Sequence, residues 1–409
     1  MKQPKLRFKA DDGSKFPDWK ENKIGKLGTF TKGAPLSKAD ISDCGEPLIL
    51  YGELYTTYNE VAYNIQRRTQ STVDEKYYSH VGDVVIPTSG ETAEEISTAT
   101  CVMAQNVILA GDLNIYRSDI VDGRIMSYIL NHQAKWKIAK LAQGKSVVHI
   151  QAAQLSGVAV KYPPSTVEQQ KIASLFAELD NLIQSAGKEL EGYRELKQGM
   201  LQKMFPKKGE TTPEIRFPEF TGDWEQLKLS EVSDVRDGTH DSPSYQNEGH
   251  PFVTSKNVKD GCINYDDIQY ISDEDFNNIN KRSKVDINDI LMGMIGTIGN
   301  LALIRTEPDF AIKNVALIKD TKQISYLYLY YYLQSPSTEN QLLSGLDGGT
   351  QKFISLKKIR ELNVSTPSES EQLKIGEYFS NLDNLIAFHQ RELDGYKELK
   401  KGLLQQMFC

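Results

Sequence analysis

An internal duplication constrains the fold of this chain more than any other feature of its sequence. Residues 168–205 and 371–408 align without a gap at an offset of 203, and 22 of the 38 aligned residues are identical. The pentapeptide LDNLI, at 179–183 and again at 382–386, lies at the centre of each copy. A repeat of this length predicts that one structural unit occurs twice.

Weaker matches extend the duplication outside these segments. PKLRF at 4–8 resembles PEIRF at 213–217, so the order is variable region, helix, variable region, helix. The first helix repeat is followed by PEIRF. The second helix repeat ends near residue 408, and the matching PKLRF lies near residue 1. The sequence would stay continuous if its ends were joined, which predicts a pseudo-two-fold molecule with neighbouring termini. Further matched pairs are Trp19 with Trp224, Gly82 with Asn288, and Asn106 with Asn314.

The two repeats have the apolar spacing of coiled-coil helices. Apolar residues recur at alternating steps of three and four, and two matching helices would pack antiparallel on each other. The alternative is an amphipathic helix that packs only on its own domain. The predicted seam includes Leu179, Ile183, Leu190 and Tyr193 in the first copy and Leu382, Ile386, Leu393 and Tyr396 in the second, with Leu196 and Leu399 on the same stripes.

The regions between the helices have the pattern of mixed α/β domains. Short β-type runs such as GDVVIPTSG and DILMGMIG alternate with turn residues, and SYILNHQAKWKIAKLA and SYLYLYYYLQSP suggest short helices. The expected class is α+β: two mixed α/β domains separated by two long helices that form an antiparallel coiled coil. The expected segments are a first domain over 1–165, a first helix and linker over 166–212, a second domain over 213–366 and a second helix over 367–409.

No motif of an enzyme active site stands out in the sequence. There is no GxxxxGK[ST] sequence for a nucleotide, and MGMIGTIGN lacks the glycine spacing of a dinucleotide site. YPPS at 162–165 superficially resembles a methyltransferase motif but is better explained as a turn before a helix. His240 and His250 lack further ligands at metal-binding spacing, so neither a metal nor a cofactor is expected. Catalysis by this chain is therefore not indicated.

Composition adds limits on the type of protein. The four cysteines are widely spaced, no apolar run is long enough for a membrane span, and no signal peptide is recognisable, so a cytoplasmic protein is expected. The net charge is −7. Residues 1–165 carry 20 basic and 18 acidic side chains, a net +2, while residues 214–366 carry 16 and 23, a net −7. Because phosphate contacts dominate affinity for DNA, the chain alone should bind DNA weakly.

Several loops nevertheless have the small polar and basic residues that bind phosphates and base edges. They occur at matched places in both halves, while the residues around them diverge, as two related sites for different targets would require. The candidate DNA-binding residues are Lys32, Arg67, Arg68, Ser89 and Lys145 in the first half, and Arg236, His240, Ser255, Lys256, Thr297, Gln351 and Lys352 in the second.

The layout resembles the specificity subunits of type I restriction–modification systems. The residues that carry the resemblance are the helix starts PSTVEQQKI and PSESEQLKI, the LDNLI pentapeptides, the GYxELKxGxLQxMF tails, the Asp-Trp pairs at Trp19 and Trp224, and the stretches LYGELYTTY and DGTHDSP. Together they cover essentially the whole chain. The acidity of the second variable region departs from what a DNA-binding domain would need by itself.

The resemblance implies a non-catalytic subunit with two target-recognition domains, each reading half of a split double-stranded DNA sequence. The helices would fix the spacing between half-sites and bind two methyltransferase subunits, with two motor–nuclease subunits outside them. S-adenosylmethionine would belong to the methyltransferase subunits and ATP to the motor subunits. Alternatives are a coiled-coil scaffold whose two domains bind protein or glycan, and a DNA methyltransferase in its own right. A four-residue insertion at the linker 206–212 is expected to lengthen the spacer between half-sites.

Overall fold

The chain forms two compact units that each combine a mixed α/β domain with parts of both long helices. The computed structural model describes residues 3–144, 147–346, 348 and 352–408. The first unit comprises Met1–Ala186 and Glu392–Cys409, and the second comprises Gly187–Arg391. None of the described helices combines the length and apolar character needed to cross a lipid bilayer.

The first unit is built on a five-stranded and a three-stranded sheet. Its strands are β1 (Lys20–Lys23), β2 (Thr29–Lys32), β3 (Glu46–Leu50), β4 (Val61–Ala62), β5 (Arg68–Thr69), β6 (Asp83–Pro87), β7 (Ser89–Gly90), β8 (Thr100–Val102), β9 (Ile108–Ala110), β10 (Leu113–Arg117), β11 (Val148–His149) and β12 (Ala159–Tyr162). The sheet orders are β2-β10-β6-β8-β4 and β5-β3-β9, with the pairs β1-β12 and β11-β7 beside them. The helices are α1 (Ile24–Leu27), α2 (Glu53–Thr56), α3 (Gly123–Tyr128), a π-helical turn (Ile129–Gln133), α4 (Lys135–Ala139), α5 (Ala152–Ser156) and the long α6 (Thr166–Lys203).

The second unit repeats this framework. Its strands are β13 (Glu225–Lys228), β14 (Val235–Asp237), β15 (His250–Thr254), β16 (Val258–Lys259), β17 (Cys262–Ile263), β18 (Gln269–Ile271), β19 (Ile290–Gly293), β20 (Leu301–Leu303), β21 (Ala311–Lys313), β22 (Val315–Ile318) and β23 (Asn363–Thr366). The sheet orders β14-β22-β19-β20 and β18-β15-β21 correspond to β2-β10-β6-β8 and β5-β3-β9 of the first unit, and β4 has no counterpart in the four-stranded sheet. The helices are α7 (Leu229–Val232), α8 (Asp273–Ser283), α9 (Tyr326–Tyr332), α10 (Pro336–Ser344), α11 (Leu356–Arg360) and the long α12 (Glu369–Phe408).

Equivalent buried ion pairs show how closely the two frameworks match. At the start of β6, Asp83 is 1% exposed and accepts two hydrogen bonds of 2.7 Å from Arg117. At the start of β19, Asp289 is also 1% exposed and is 2.6 Å from Lys319. Asp83 and Arg117 are the first residue of β6 and the last of β10, and Asp289 and Lys319 lie one residue outside the corresponding ends of β19 and β22. Both buried carboxylates therefore have the cationic partner that burial requires.

One sequence match is wrong in detail. Asn314 corresponds in structure to Gly111 and not to Asn106. The amides of Gly111 and Asn314 donate equivalent hydrogen bonds, to the carbonyls of Ala34 and Thr239. Both residues have positive φ, 78° and 53°, a conformation that glycine and asparagine tolerate best. Asn106 also has positive φ. Asparagine therefore occurs at both positions because each lies in a turn with positive φ, although the two turns are not equivalent.

Parts of α6 and α12 pack antiparallel within each unit, as the repeat predicts. In the first unit Phe176 packs against Phe408, and Asp180 lies 2.8 Å from Lys400. In the second, Phe379 stacks on Phe205, and Asp383 lies 2.6 Å from Lys197. The aspartate of each LDNLI therefore binds the lysine of the ELK sequence on the other long helix. This pairing explains why both sequences recur together.

The aspartate–lysine pair of the first unit has additional charged partners. Lys400 Nζ is also 2.8 Å from Glu60, which bonds to His132 at 3.2 Å. Burial alone would raise the pKa of Glu60, but the hydrogen bond from His132 and the charge of Lys400 outweigh it and lower that pKa to about 2. The pKa of Asp180 is raised by burial. Glu60 lies in the loop before β4, so this cluster fastens the α/β domain to α12.

Lys197 and Lys400 occupy positions where the predicted coiled-coil seam is wrong. Leu196 and Leu399, expected on the seam, are 40% and 50% exposed. Lys197 and Lys400 take the inward position one residue later, because a lysine can bury its aliphatic stem while its charge is paired. The other predicted seam residues lie as follows: Leu179, Leu190, Leu382 and Leu393 are buried, and Ile183, Tyr193, Ile386 and Tyr396 are partly buried.

A glutamate in the first turn of each long helix holds an N-terminal arm. Glu168 and Glu371 are fully buried and form bidentate ion pairs with Arg7 and Arg216. The amide of Leu6 donates to Gln406 in the first unit, as that of Ile215 donates to Lys203 in the second. The expected proximity of the chain ends is thus confirmed at residues 5–6 and 406.

The glutamine that follows each glutamate fixes the chain before the helix. Gln169 donates to the Pro163 carbonyl at 2.9 Å and accepts from the Asp122 amide at 2.6 Å. Gln372 makes the equivalent bonds of 2.9 Å to Pro367 and from Ser325. The Glu-Gln pair of the repeat therefore connects three segments of each unit through buried hydrogen bonds, which explains the sequence at both helix starts.

Candidate nucleic-acid interface

The loops that follow four strands meet at one edge of each unit, called here the loop edge. Strands β2 and β6 both run antiparallel to β10, and β3 runs parallel to β9, so their C-terminal ends share a side within each sheet. A bridge between Ala34 and Ala110 joins the two sheets there. The second unit repeats the arrangement. The loop edges comprise 33–36, 51–53, 88–92 and 111–112 in the first unit, and 238–243, 255–257, 294–299 and 314 in the second.

In the second unit a chain of hydrogen bonds brings three predicted residues together. His240 Nδ1 is 2.7 Å from Asn314 Oδ1, and the Ser255 hydroxyl donates to the Asn314 carbonyl at 2.6 Å. The Thr297 hydroxyl donates to the Ser255 carbonyl at 2.5 Å. Residues far apart in sequence therefore form one polar cluster. Of these side chains, His240 is the most accessible, with 63% of its side chain exposed.

A buried carboxylate supports the cations of this edge. Asp237, 7% exposed, is 3.0 Å from His240 Nε2 and also bonds to the guanidinium of Arg282. Arg236 is directed instead to Asp234, at 2.6 Å, and donates to the Arg282 carbonyl. The carboxylate of Asp237 thus fixes the orientation of His240 and Arg282. The guanidinium of Arg282 keeps further N–H groups that can donate outward, whereas both ring nitrogens of His240 are bonded within the protein. Some of the acidic side chains of this domain, such as Asp234 and Asp237, are therefore paired with neighbouring basic or imidazole groups.

Two predicted lysines lie at the margin of the same edge. Lys256 is exposed, and its only hydrogen bond among the described residues is a long one of 3.5 Å to the Asp267 carbonyl. Lys352 is exposed and precedes Phe353, which bridges Ile295 in the loop after β19. Both ammonium groups are accessible to a polyanion.

In the first unit the predicted residues divide into accessible and enclosed groups. Lys32 and Arg68 are exposed at the end of β2 and on β5. Arg67 is half-exposed, and its Nε donates to Glu53 at 2.7 Å. Ser89 is 6% exposed and its hydroxyl donates to Asp112 at 2.7 Å, while its carbonyl accepts from the Tyr55 hydroxyl. Burial raises the pKa of Tyr55, which keeps that hydroxyl a donor.

The predicted serines are therefore placed differently from the predicted cations. Ser89 and Ser255 have their hydroxyls bonded within the protein, so they shape the loop edge and do not offer a free donor. Lys145 and Gln351 lie outside the described residues. The sequence singled out neither Glu53, Arg282 nor Asn314 as a site residue. Asp237 belongs to the DGTHDSP stretch, but that stretch did not indicate a role for its carboxylate.

A metal site is not found in the described part of the chain. No group of three or more His, Cys, Asp or Glu side chains there has an arrangement that could hold an ion. His240 and His250 each lie between oxygen partners: Asn314 and Asp237 for His240, and Asp309 and Asp273 for His250. These contacts are hydrogen-bonding and ionic.

Comparisons with known proteins agree with the repeated framework. The family model described as type I restriction modification DNA specificity domain matches the chain twice, over residues 17–192 and 221–396. The type I restriction enzyme MjaVIII specificity subunit of Methanocaldococcus jannaschii is 23% identical over 409 residues, with 97% of this chain and 94% of that protein covered. The EcoBI specificity subunit of Escherichia coli is 26% identical over 167 residues, covering 39% and 35%.

Solved structures share the fold over the full length. The type I restriction–modification S subunit from M. genitalium has a TM-score of 0.62 at 16% identity, covering 100% of this chain and 99% of that one. A chain from a study of type I complex assembly has a TM-score of 0.55 at 16% identity, covering 96% and 98%. The two family matches fall one on each variable region with its following helix, which is where the structure repeats its framework. The chain therefore belongs to the type I restriction–modification specificity subunits and contains two target-recognition domains.

Proposed function

We propose that the loop edge of each unit reads one half of a bipartite double-stranded DNA target. The observation that carries the proposal is the combination of one repeated framework with two different sets of edge residues. Equivalent strands hold both edges, yet the side chains at and beside them differ: Lys32 and Arg67 in the first unit, and His240 and Arg282 in the second. A conserved scaffold with divergent loops is suited to recognising two different sequences.

The accessible groups at the edges suit both kinds of DNA contact. Guanidinium groups such as those of Arg67 and Arg282 can donate to base edges in the major groove, whereas lysines bind phosphates irrespective of sequence. Because the acidic second domain carries a net charge of −7, phosphate affinity must come in part from other subunits. The chain would then supply the choice of sequence, and its partners much of the binding strength.

The partners proposed are two methyltransferase subunits and two motor–nuclease subunits, working together in the cytoplasm. Methyl transfer with S-adenosylmethionine and ATP hydrolysis would belong to those subunits, and this chain would carry out no chemical step. Matched exposed leucines on the long helices support one methyltransferase docking site in each unit. Leu182 and Leu196 on α6 are 44% and 40% exposed, and their counterparts Leu385 and Leu399 on α12 are 39% and 50% exposed.

Exchanging one domain should change half of the recognised sequence. We expect that replacing residues 17–165 by the corresponding region of a relative alters one half-site and leaves the other intact, because each framework carries its own loop edge. Methylation mapping of a host that expresses the hybrid with its methyltransferase measures this result. A change in both half-sites, or in neither, would contradict modular reading by the two units.

Charged substitutions on the exposed leucines should prevent methyltransferase binding. We expect Leu182→Asp to remove one methyltransferase subunit from the complex, and Leu182→Asp with Leu385→Asp to remove both, because each aspartate would be desolvated in the interface. Light scattering of the purified mixture gives the stoichiometry, expected to be two per parent chain. Leu343→Asp, on α10 and 59% exposed, is the matched control. Full assembly by the double variant would place the docking site elsewhere.

A further inference from the structure

One arginine beside the first loop edge, Arg67, is held by a buried carboxylate of that edge. Glu53 is 7% exposed, and its Oε2 accepts from the Leu50 amide at 3.2 Å, at the end of β3. Its Oε1 accepts from Arg67 Nε at 2.7 Å. Half of the Arg67 side chain is exposed, and its Nη1 and Nη2 have no hydrogen-bond partner among the described residues. The guanidinium is therefore oriented at one side and free to donate at the other.

The equivalent position in the second unit shows that the carboxylate is not needed for the fold. Asn257 occupies the place of Glu53, and its side-chain oxygen accepts from the Thr254 amide at 3.0 Å, as Glu53 does from Leu50. A neutral side chain is thus sufficient to cap the strand end. A buried carboxylate is costly unless it is paired, so its presence in the first unit is explained by its bond to Arg67.

The surroundings of Arg67 leave room for a ligand at the free side of its guanidinium. A cleft of about 750 Å³ opens at the loop edge and is lined by Arg67 with Leu36, Lys38, Tyr51 and Asp112. Lys38 adds a second cation to the cleft wall. A polar group that presents two adjacent acceptors would match the two free amino groups of Arg67.

We propose that Arg67 reads a guanine in the half-site of the first unit and that Glu53 is its positioning residue. Guanine presents O6 and N7 as neighbouring acceptors in the major groove, which an arginine binds with both amino groups at once. The Nε bond to Glu53 fixes the plane of the guanidinium before DNA binds, so less side-chain entropy is lost on recognition. This inference rests on the proposed reading of DNA by the loop edges.

The test uses the full chain in complex with its methyltransferase subunits. The duplexes carry the sequence found by methylation mapping, versions with each base pair of the first half-site replaced in turn, and an unrelated sequence. We expect Arg67→Lys to lower affinity for the target about 10- to 100-fold while affinity for the unrelated duplex changes less than about twofold. The lost discrimination should fall on one G·C pair, because lysine keeps the charge but not the two-donor edge.

Two further variants separate the roles of the residues. Glu53→Gln keeps an acceptor for the Leu50 amide and should lower discrimination at the same G·C pair about 3- to 10-fold. It should not weaken binding to the unrelated duplex, since it removes a negative charge. Arg68→Ala is the matched control, because the exposed Arg68 has no side-chain partner among the described residues. It should weaken binding to all duplexes alike, as loss of a phosphate contact does.

Each result decides a different part of the inference. The guanine assignment would be overturned if Arg67→Lys distinguished every base pair as well as the parent does. It would also be overturned if the variant lost discrimination at an A·T pair. Parent-like discrimination by Glu53→Gln would overturn the positioning role. Equal weakening of target and unrelated binding, together with a lower thermal unfolding midpoint, would show Arg67 to be structural. Absence of sequence-specific binding by the parent complex would instead contradict the proposed function.

Discussion

Replacing Glu168 by alanine is expected to destabilise the first unit by about 3–5 kcal/mol. The variant leaves the Arg7 guanidinium, 17% exposed, without its buried carboxylate. It also removes the acceptor of the Trp19 indole N–H, which lies 3.3 Å from Glu168. The N-terminal arm, whose residues 5 and 6 bond to Gln406, should then detach from the helix pair. Urea unfolding followed by tryptophan fluorescence measures the loss.

The second unit provides a matched control for this effect. Glu371→Ala breaks the equivalent pair, but the Trp224 indole nitrogen already has no hydrogen-bond partner among the described residues. Both arginines keep main-chain acceptors, Gly222 and Thr221 for Arg216 and Phe16 and Pro17 for Arg7, so the difference between the variants rests on the tryptophan. We expect a smaller loss for Glu371→Ala than for Glu168→Ala, by about 1 kcal/mol for the extra unsatisfied group. A loss below about 1 kcal/mol for both variants would show that these pairs do not fasten the arms.

Lengthening both long helices by four residues is expected to lengthen the DNA spacer by one or two base pairs. The insertions belong between Ala186 and Gly187 in α6 and between Arg391 and Glu392 in α12, where each helix passes from one compact unit to the other. Four residues add about 6 Å and turn the helix by about 40° beyond a full turn. One base pair adds about 3.4 Å and turns DNA by about 35°. Methylation mapping should show unchanged half-sites around the longer spacer.

Two other insertions test whether length and rotation both matter. Seven residues at the same places add about 10.5 Å but turn the helix by about −20°, whereas three base pairs turn DNA by about 105°. We expect that variant to lose methylation. Four residues in the linker 206–212 lie inside the second unit and should leave the spacer unchanged, contrary to the sequence-based expectation. An unchanged spacer in the active two-helix variant would contradict the role of the helices in spacing.

Much of the architecture was predictable because it depends on local patterns that occur twice. The three–four spacing of apolar residues predicted α6 and α12, and the repeat predicted that they pack antiparallel. The prediction that Leu196 and Leu399 lie on the buried seam was wrong for a physical reason. Apolar spacing cannot anticipate a buried lysine, whose inward position depends on an aspartate far away in sequence on the other helix.

The loop edges were less predictable because their arrangement depends on which strands lie side by side. The sequence indicated polar loops, but it could not show that Asn314 connects the loops of His240 and Ser255. Glu53 lies in the LYGELYTTY stretch and Arg282 at the end of α8, but only the fold brings them to Arg67 and Asp237. Residue type alone also failed to separate the enclosed hydroxyls of Ser89 and Ser255 from the exposed cations.

The ion pairs that join each N-terminal arm to its long helix, Arg7–Glu168 and Arg216–Glu371, have a consequence for recombination between the two halves of the gene. Arg7 and Arg216 bind identical glutamates, and the helix ends at Phe205 and Phe408 are identical in type and in burial. A variable region moved from one half of the gene to the other would meet the same arginine, glutamate and phenylalanine partners there. Recombination within the repeated helix codons would therefore produce chains that still fold while their edge residues are newly combined. If the loop edges read DNA as proposed, the repeat would preserve the fold through such an exchange and leave the recognised sequence free to change.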